Sequence, residues 1–81
     1  MYFIYILYSE KKDKYYVGHT NNLTLRLKRH NSGRNKSTKS GVPWEMVYFE
    51  EYETKSEAMK RENKIKKQKS KKYITELLNK S

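Results

Sequence analysis

Residues 2–8, YFIYILY, are apolar or aromatic at every position rather than at every second one. A strand that is apolar on both faces must be covered on both sides, so this segment predicts the central strand of a sheet. Ser9 to Lys14 is polar and turn-forming, and YYVGH at residues 15–19 predicts a second strand paired to the first as a hairpin. Asn21 or Asn22 can cap a helix carrying Leu23, Leu27 and His30 at helical spacing, with Gly33 placed to stop it. Residues 31–43 are rich in Asn, Ser, Gly, Lys and Thr. That connection is long for so short a chain, which marks it as a functional loop. WEMVYFEEY, residues 44–52, predicts a third strand. Thr54 and Glu57 stand in capping-box register ahead of a helix whose stripe includes Ala58 and Ile65. A last helix is expected from about Ser70 through Ile74, Leu77 and Leu78. The expected fold is α+β, a small three-stranded antiparallel sheet flanked by helices in the order β-β-α-β-α-α, forming a single domain over residues 1–81.

Composition narrows this picture. A chain of 81 residues buries only about 60% of the surface its unfolded form exposes, so the core is thin. Mean hydropathy is low at -1.18, yet 14% of residues are aromatic and eight are tyrosine. Disordered chains lack that load, so the tyrosines are expected to supply core area and polar tips. The absence of cysteine excludes a disulfide scaffold, thiol catalysis and a Cys-based zinc site, and suits a cytoplasmic location. The apolar opening, Met1 to Tyr8, is too short to span a bilayer and lacks the features of a secretory signal, so no membrane role is expected.

Charge changes the picture most. A net charge of +10 attracts polyanions. The run from Lys55 to Lys72 holds nine Lys or Arg against two Glu, and such mutually repelling charges suit a phosphate backbone. That accounts for binding and says nothing of catalysis.

Five residues depart from a plain amphipathic pattern. Glu62 lies four positions after Ala58 and three before Ile65, on the apolar stripe. It either pairs with a basic neighbour at the stripe's edge or lines a site that needs a charge. Arg26 and His30 share a helix face beside Leu23 and Leu27. Arg26 either lays its stem on the core with its head in water or faces an anion; His30 is either a satisfied core histidine or a site residue. Tyr5, in the first strand, has a hydroxyl that needs a partner if buried, as does Tyr16 in the second.

Together these positions resemble the GIY-YIG nuclease superfamily. Phe3-Ile4-Tyr5 stands where the family has its GIY triplet, and Tyr16-Val17-Gly18 where it has YIG. Arg26 follows Gly18 by eight residues, His30 follows it by twelve, and Glu62 falls in the next helix. The resemblance covers nearly the whole chain and is closest to the small stand-alone bacterial branch, through His30-Asn31-Ser32-Gly33, Pro43, Val47-Tyr48 and the helix with Ala58, Glu62, Ile65 and Lys66. Phe3 departs from the first glycine of the triplet, His19 occupies a variable position, and an asparagine that some relatives carry in the last helix has no counterpart here.

The resemblance implies a divalent-metal-dependent endonuclease hydrolysing phosphodiester bonds, acting on DNA that is branched, flapped or single-stranded and leaving a 5′-phosphate and a 3′-hydroxyl. Such a site must activate water, neutralise the phosphate and stabilise the departing oxygen. It implies that Glu62 holds a single Mg²⁺ or Mn²⁺, that Tyr5 is the general base with Tyr16 beside it, and that Gly18 is a backbone position of the motif. A free phenol is only about 0.1% ionised at pH 7, so Arg26 is expected to lower that pKa and to offer its fork to the phosphate. His30 would relay a proton or bind phosphate. Arg29, Arg34, Lys36, Lys39, Lys66, Lys67 and Lys69 are the expected nucleic-acid contacts, with DNA the favoured partner. The competing reading is a catalytically weak or inert nucleic-acid-binding module, RNA- or ribosome-associated. Targeting would come from DNA shape, from the 31–43 loop or from a partner protein.

Overall fold

The computed structural model describes residues 1–68 and 70–79. Strands β1 (Tyr2–Ser9), β2 (Lys14–Thr20) and β3 (Trp44–Tyr52) form one antiparallel sheet in the order β2-β1-β3. Helices α1 (Leu23–Asn31), α2 (Lys55–Gln68) and α3 (Lys71–Asn79) complete the β-β-α-β-α-α order, which is the expected α+β architecture. The apolar opening is the central strand because only there can both of its faces be covered: Ile4, Tyr5, Ile6 and Leu7 are all buried.

Alternation along β1 divides the core in two. Ile4 and Ile6, with Val17, pack on Ala58 and Ile65 of α2 and on Ile74 and Leu77 of α3. Tyr5 and Leu7, with Trp44, face Leu23 and Leu27 of α1 together with Tyr16 and Met46. Between Ile6 and Leu7 the β3 register slips by one residue, leaving Val47 extra on β3 and keeping Met46 on the α1 side.

The ends of the elements follow local chemistry. The Asn22 side chain accepts from Leu25 N–H at 3.0 Å and caps α1. Gly33, just past the helix, takes the left-handed conformation at φ 77° that a side chain would resist. Thr54 Oγ1 accepts from Glu57 N–H at 3.2 Å, as the capping-box register predicts.

Tyr48, Glu50 and Tyr52 alternate along β3 toward α2, where Arg61 grips Glu50 with Nε at 2.9 Å and Nη2 at 3.1 Å. Both tyrosine hydroxyls donate to the same carboxylate. Burial opposes the Glu50 charge, yet these donors hold its carboxyl below the usual range, and burial with the Glu50 bond pushes Tyr52 up to about 12. Arg61→Ala would strip the paired cation from a half-buried carboxylate, at a cost of about 2 kcal/mol. Urea unfolding checks this, with Arg61→Lys expected to lose less.

Candidate active site

The α1 face of the sheet is closed by a polar chain. Tyr5 Oη lies 2.9 Å from His30 Nε2, and His30 Nδ1 lies 2.9 Å from Thr38 Oγ1. All three groups are buried. Tyr16 flanks them, its ring centroid 4.9 Å from that of His30 and 6.4 Å from that of Tyr5. Thr38 belongs to the long loop, whose two ends Asn31 and Trp44 are tied by hydrogen bonds. The Trp44 indole N–H donates to the Thr38 carbonyl at 2.7 Å. Trp44 is therefore a support, and the loop fixes the far side of the histidine.

Gly18 explains its own identity. It pairs with Tyr5 across β1 and β2, and a Cβ there would fall 2.5 Å from the Tyr5 hydroxyl oxygen. The phenol thus lies over bare backbone. Gly18→Ala is expected to push the Tyr5 ring out of line with His30 and to lower the thermal midpoint by several degrees, because the ring sits in a packed core with no room to retreat. Calorimetry together with the one-dimensional imidazole proton spectrum checks both effects.

The next residue, His19, points to the opposite face by strand alternation, and there it meets α2. Its Nδ1–H hydrogen-bonds Glu62 Oε1, while Lys66 Nζ pairs with Glu62 Oε2 at 2.6 Å. Glu62 is buried and ion-paired, which is the first of the two alternatives left by its spacing. Arg26 and His19 line one small concavity with Thr20, Asn21 and Lys55.

Electrostatics corrects one expectation. Burial pushes the Tyr5 phenol well above its ordinary pKa, and Tyr16 and Glu62 add to the rise; Arg26 acts in the lowering direction and is outweighed. The cationic neighbour is present, but desolvation wins. His30 is shifted down, first by burial and then by Arg26, so its ring is neutral. The Tyr5 and His30 shifts bracket stability. A depressed histidine loses stability as pH falls below about 6.5, and a raised phenol loses it as pH climbs above about 10. The thermal midpoint is expected to be flat between these limits, and His30→Gln should flatten the acid limb.

The fold gathers Tyr5, Tyr16, His30 and Gly18, with Arg26 acting on the first and third of these, while Glu62 pairs with His19 on the α2 face of the sheet. Arg26, Arg29 and Arg34 line one surface concavity, while Lys36, Lys39 and Lys67 are exposed. Lys66 faces Glu62, and Lys69 lies outside the described residues. Sequence reasoning missed His19 and Thr38. Strand alternation from Val17 could have placed His19 toward α2; a threonine within a polar loop carries no such signal.

The GIY-YIG catalytic domain matches residues 1–74, and the chain belongs to that family, whose nucleases act on nucleic acids and typically use divalent metals. Relatives include the UPF0213 protein CPE1444 of Clostridium perfringens, 47% identical over 68 residues that cover 83% of this chain and 72% of the relative. The UPF0213 protein YazA of Bacillus subtilis is 40% identical over 73 residues, covering 85% and 74%. A UPF0213 protein of Staphylococcus aureus is 48% identical over 52 residues, covering 63% of each chain. No solved structure matches the chain. Among the described residues, no helix is long and apolar enough to cross a membrane.

Proposed function

We propose that the chain is a divalent-metal-dependent endonuclease that hydrolyses phosphodiester bonds in DNA with an unpaired or branched strand. The observation that carries this reading is the buried Tyr5–His30–Thr38 chain laid over Gly18. A structural tyrosine needs one partner; this one has a neutral imidazole behind it, fixed on its far side.

Burial of the Tyr5 phenol favours its neutral form, which suits a coupled transfer. The phenol oxygen takes a proton from the attacking water as its own proton passes to His30 Nε2. The resulting imidazolium keeps its Nδ1–H bonded to Thr38 Oγ1. This is the logic of a nucleophile or base activated by a positioned histidine. His30, buried and bonded at both nitrogens, acts in that relay rather than as a phosphate ligand. Arg26 presents a planar, always-charged fork to the phosphate, and Tyr16 packs against the His30 ring.

The residues fit a single Mg²⁺ or Mn²⁺. Among the described residues no group of three His, Cys, Asp or Glu gathers into a cage, but Mg²⁺ requires only one or two carboxylates with waters. Glu62 is such a carboxylate, and the Lys66 ammonium already occupies a cation's position against it. A bound divalent ion would supply charge stabilisation at the phosphate and leaving oxygen. Lys66, half-exposed, can turn to solvent or to the phosphate instead.

The same pairing supports the second reading, an inert binding module, because both Glu62 oxygens already have partners. Cleavage decides between them. Labelled flap, branched, single-stranded and duplex DNA, with RNA counterparts, are incubated with Mg²⁺ or Mn²⁺. Metal-dependent products ending in 5′-phosphate on flap or branched DNA support the nuclease; retention of all probes uncut at saturating protein supports the module.

A further inference from the structure

A groove of about 480 Å³ runs along the outer edge of β2, between that strand and the α2–α3 corner. That volume lies within the roughly 300–1,000 Å³ usual for small-ligand sites. Tyr15, Tyr16, Val17, Ile65 and Ile74 supply its mainly apolar lining, and Lys14, Lys66 and Lys71 stand at its rim with Asp13 and Ser70. One of its members also touches a candidate site residue: Lys66, at its rim, holds Glu62.

A surface that bound only phosphates would have no use for an apolar trough. A nucleobase has two apolar faces and hangs from a charged backbone, which matches an apolar floor rimmed by lysines. The opposite edge of the sheet is unsuited to such a ligand. The sequence has no Lys or Arg between Lys39 and Lys55, and β3 exposes Glu45 and Glu51. A polyanion is thus directed to the β2 edge.

We infer that the β2-edge groove is a subsite for one unpaired nucleotide next to the cleaved bond, the base seated on Tyr15 and Ile74 and the flanking phosphates on Lys14 and Lys71. This rests on the nuclease reading and gives it a substrate class, since a base held in a duplex cannot enter. Lys71, now paired with Asp13, exchanges that exposed carboxylate for a phosphate.

The test is a binding measurement on the full chain without divalent metal, so that no cutting intervenes. Flap DNA carries 2-aminopurine at successive unpaired positions, and matched duplex serves as reference. One position is expected to lose emission on binding, and an abasic site at that position should weaken binding at least about tenfold. An abasic site within the paired arm should change nothing. Ile74→Trp, which fills the groove, should erase the preference for flap over duplex while duplex affinity persists. Equal affinity for intact and abasic flaps overturns the subsite while leaving the nuclease reading standing, and does so without any variant. Loss of binding to every DNA overturns both. Displacement of the flap by poly-glutamate, regardless of the base, assigns the groove to an acidic peptide and overturns the proposal.

Discussion

Tyr5→Phe is expected to fold as the wild type and to cut DNA at least about 100-fold more slowly, the lower end of what a positioned acid–base group contributes. Phenylalanine fills the same core volume between Leu7 and Trp44, so packing is kept. What goes is the oxygen that lies over Gly18 and bonds His30. His30 Nε2 is then left without its partner, which costs about 1–3 kcal/mol of stability. Single-turnover rates on a saturating substrate isolate the chemical loss from binding. DNA affinity should be unchanged, because the cationic surface is untouched. Wild-type cleavage by this variant removes tyrosine from the reaction.

Glu62→Gln is expected to have the larger effect, a fall on the order of 1,000-fold, which corresponds to about 4 kcal/mol of lost charge stabilisation. The substitution keeps the shape of the side chain on the α2 stripe and leaves Ala58 and Ile65 in place. It removes the charge that pairs with Lys66 and His19. Both partners are partly exposed and can turn to water, so stability should fall by only about 1 kcal/mol. Titration with Mn²⁺ followed by relaxation of solvent protons gives a second readout. The wild type should show a site that the variant lacks, whatever happens to cleavage. An unaltered Mn²⁺ titration would detach Glu62 from metal binding.

The fold is legible in the sequence where pattern has one solution. An unbroken apolar run at residues 2–8 can be covered only as a central strand, and β1 is buried on both faces. The α1 cap, the capping box and the three strands stand where turn and cap chemistry predict them. The site is less legible because its decisive partners are distant in the chain. His30 and Thr38 are eight residues apart across a loop whose path no periodicity encodes. Glu62 reaches His19 across 43 residues. Charge counting also treats every lysine and arginine as outward-facing, whereas Arg61, Lys66 and Lys71 each hold a carboxylate. Arg26 is where the motif requires it. Its effect on Tyr5 depends on burial, which spacing along the chain does not disclose, and burial reverses the net direction.

The most direct measurement compares single-turnover cleavage by Tyr5→Phe, Glu62→Gln and the double variant on one flap substrate. Groups that serve a single reaction centre are strongly non-additive. The double variant should therefore cut within about tenfold of the slower single variant. Two independent losses that multiply in the double variant, or wild-type rates in either single, would contradict a shared centre in which Tyr5 and Glu62 act on the same phosphate.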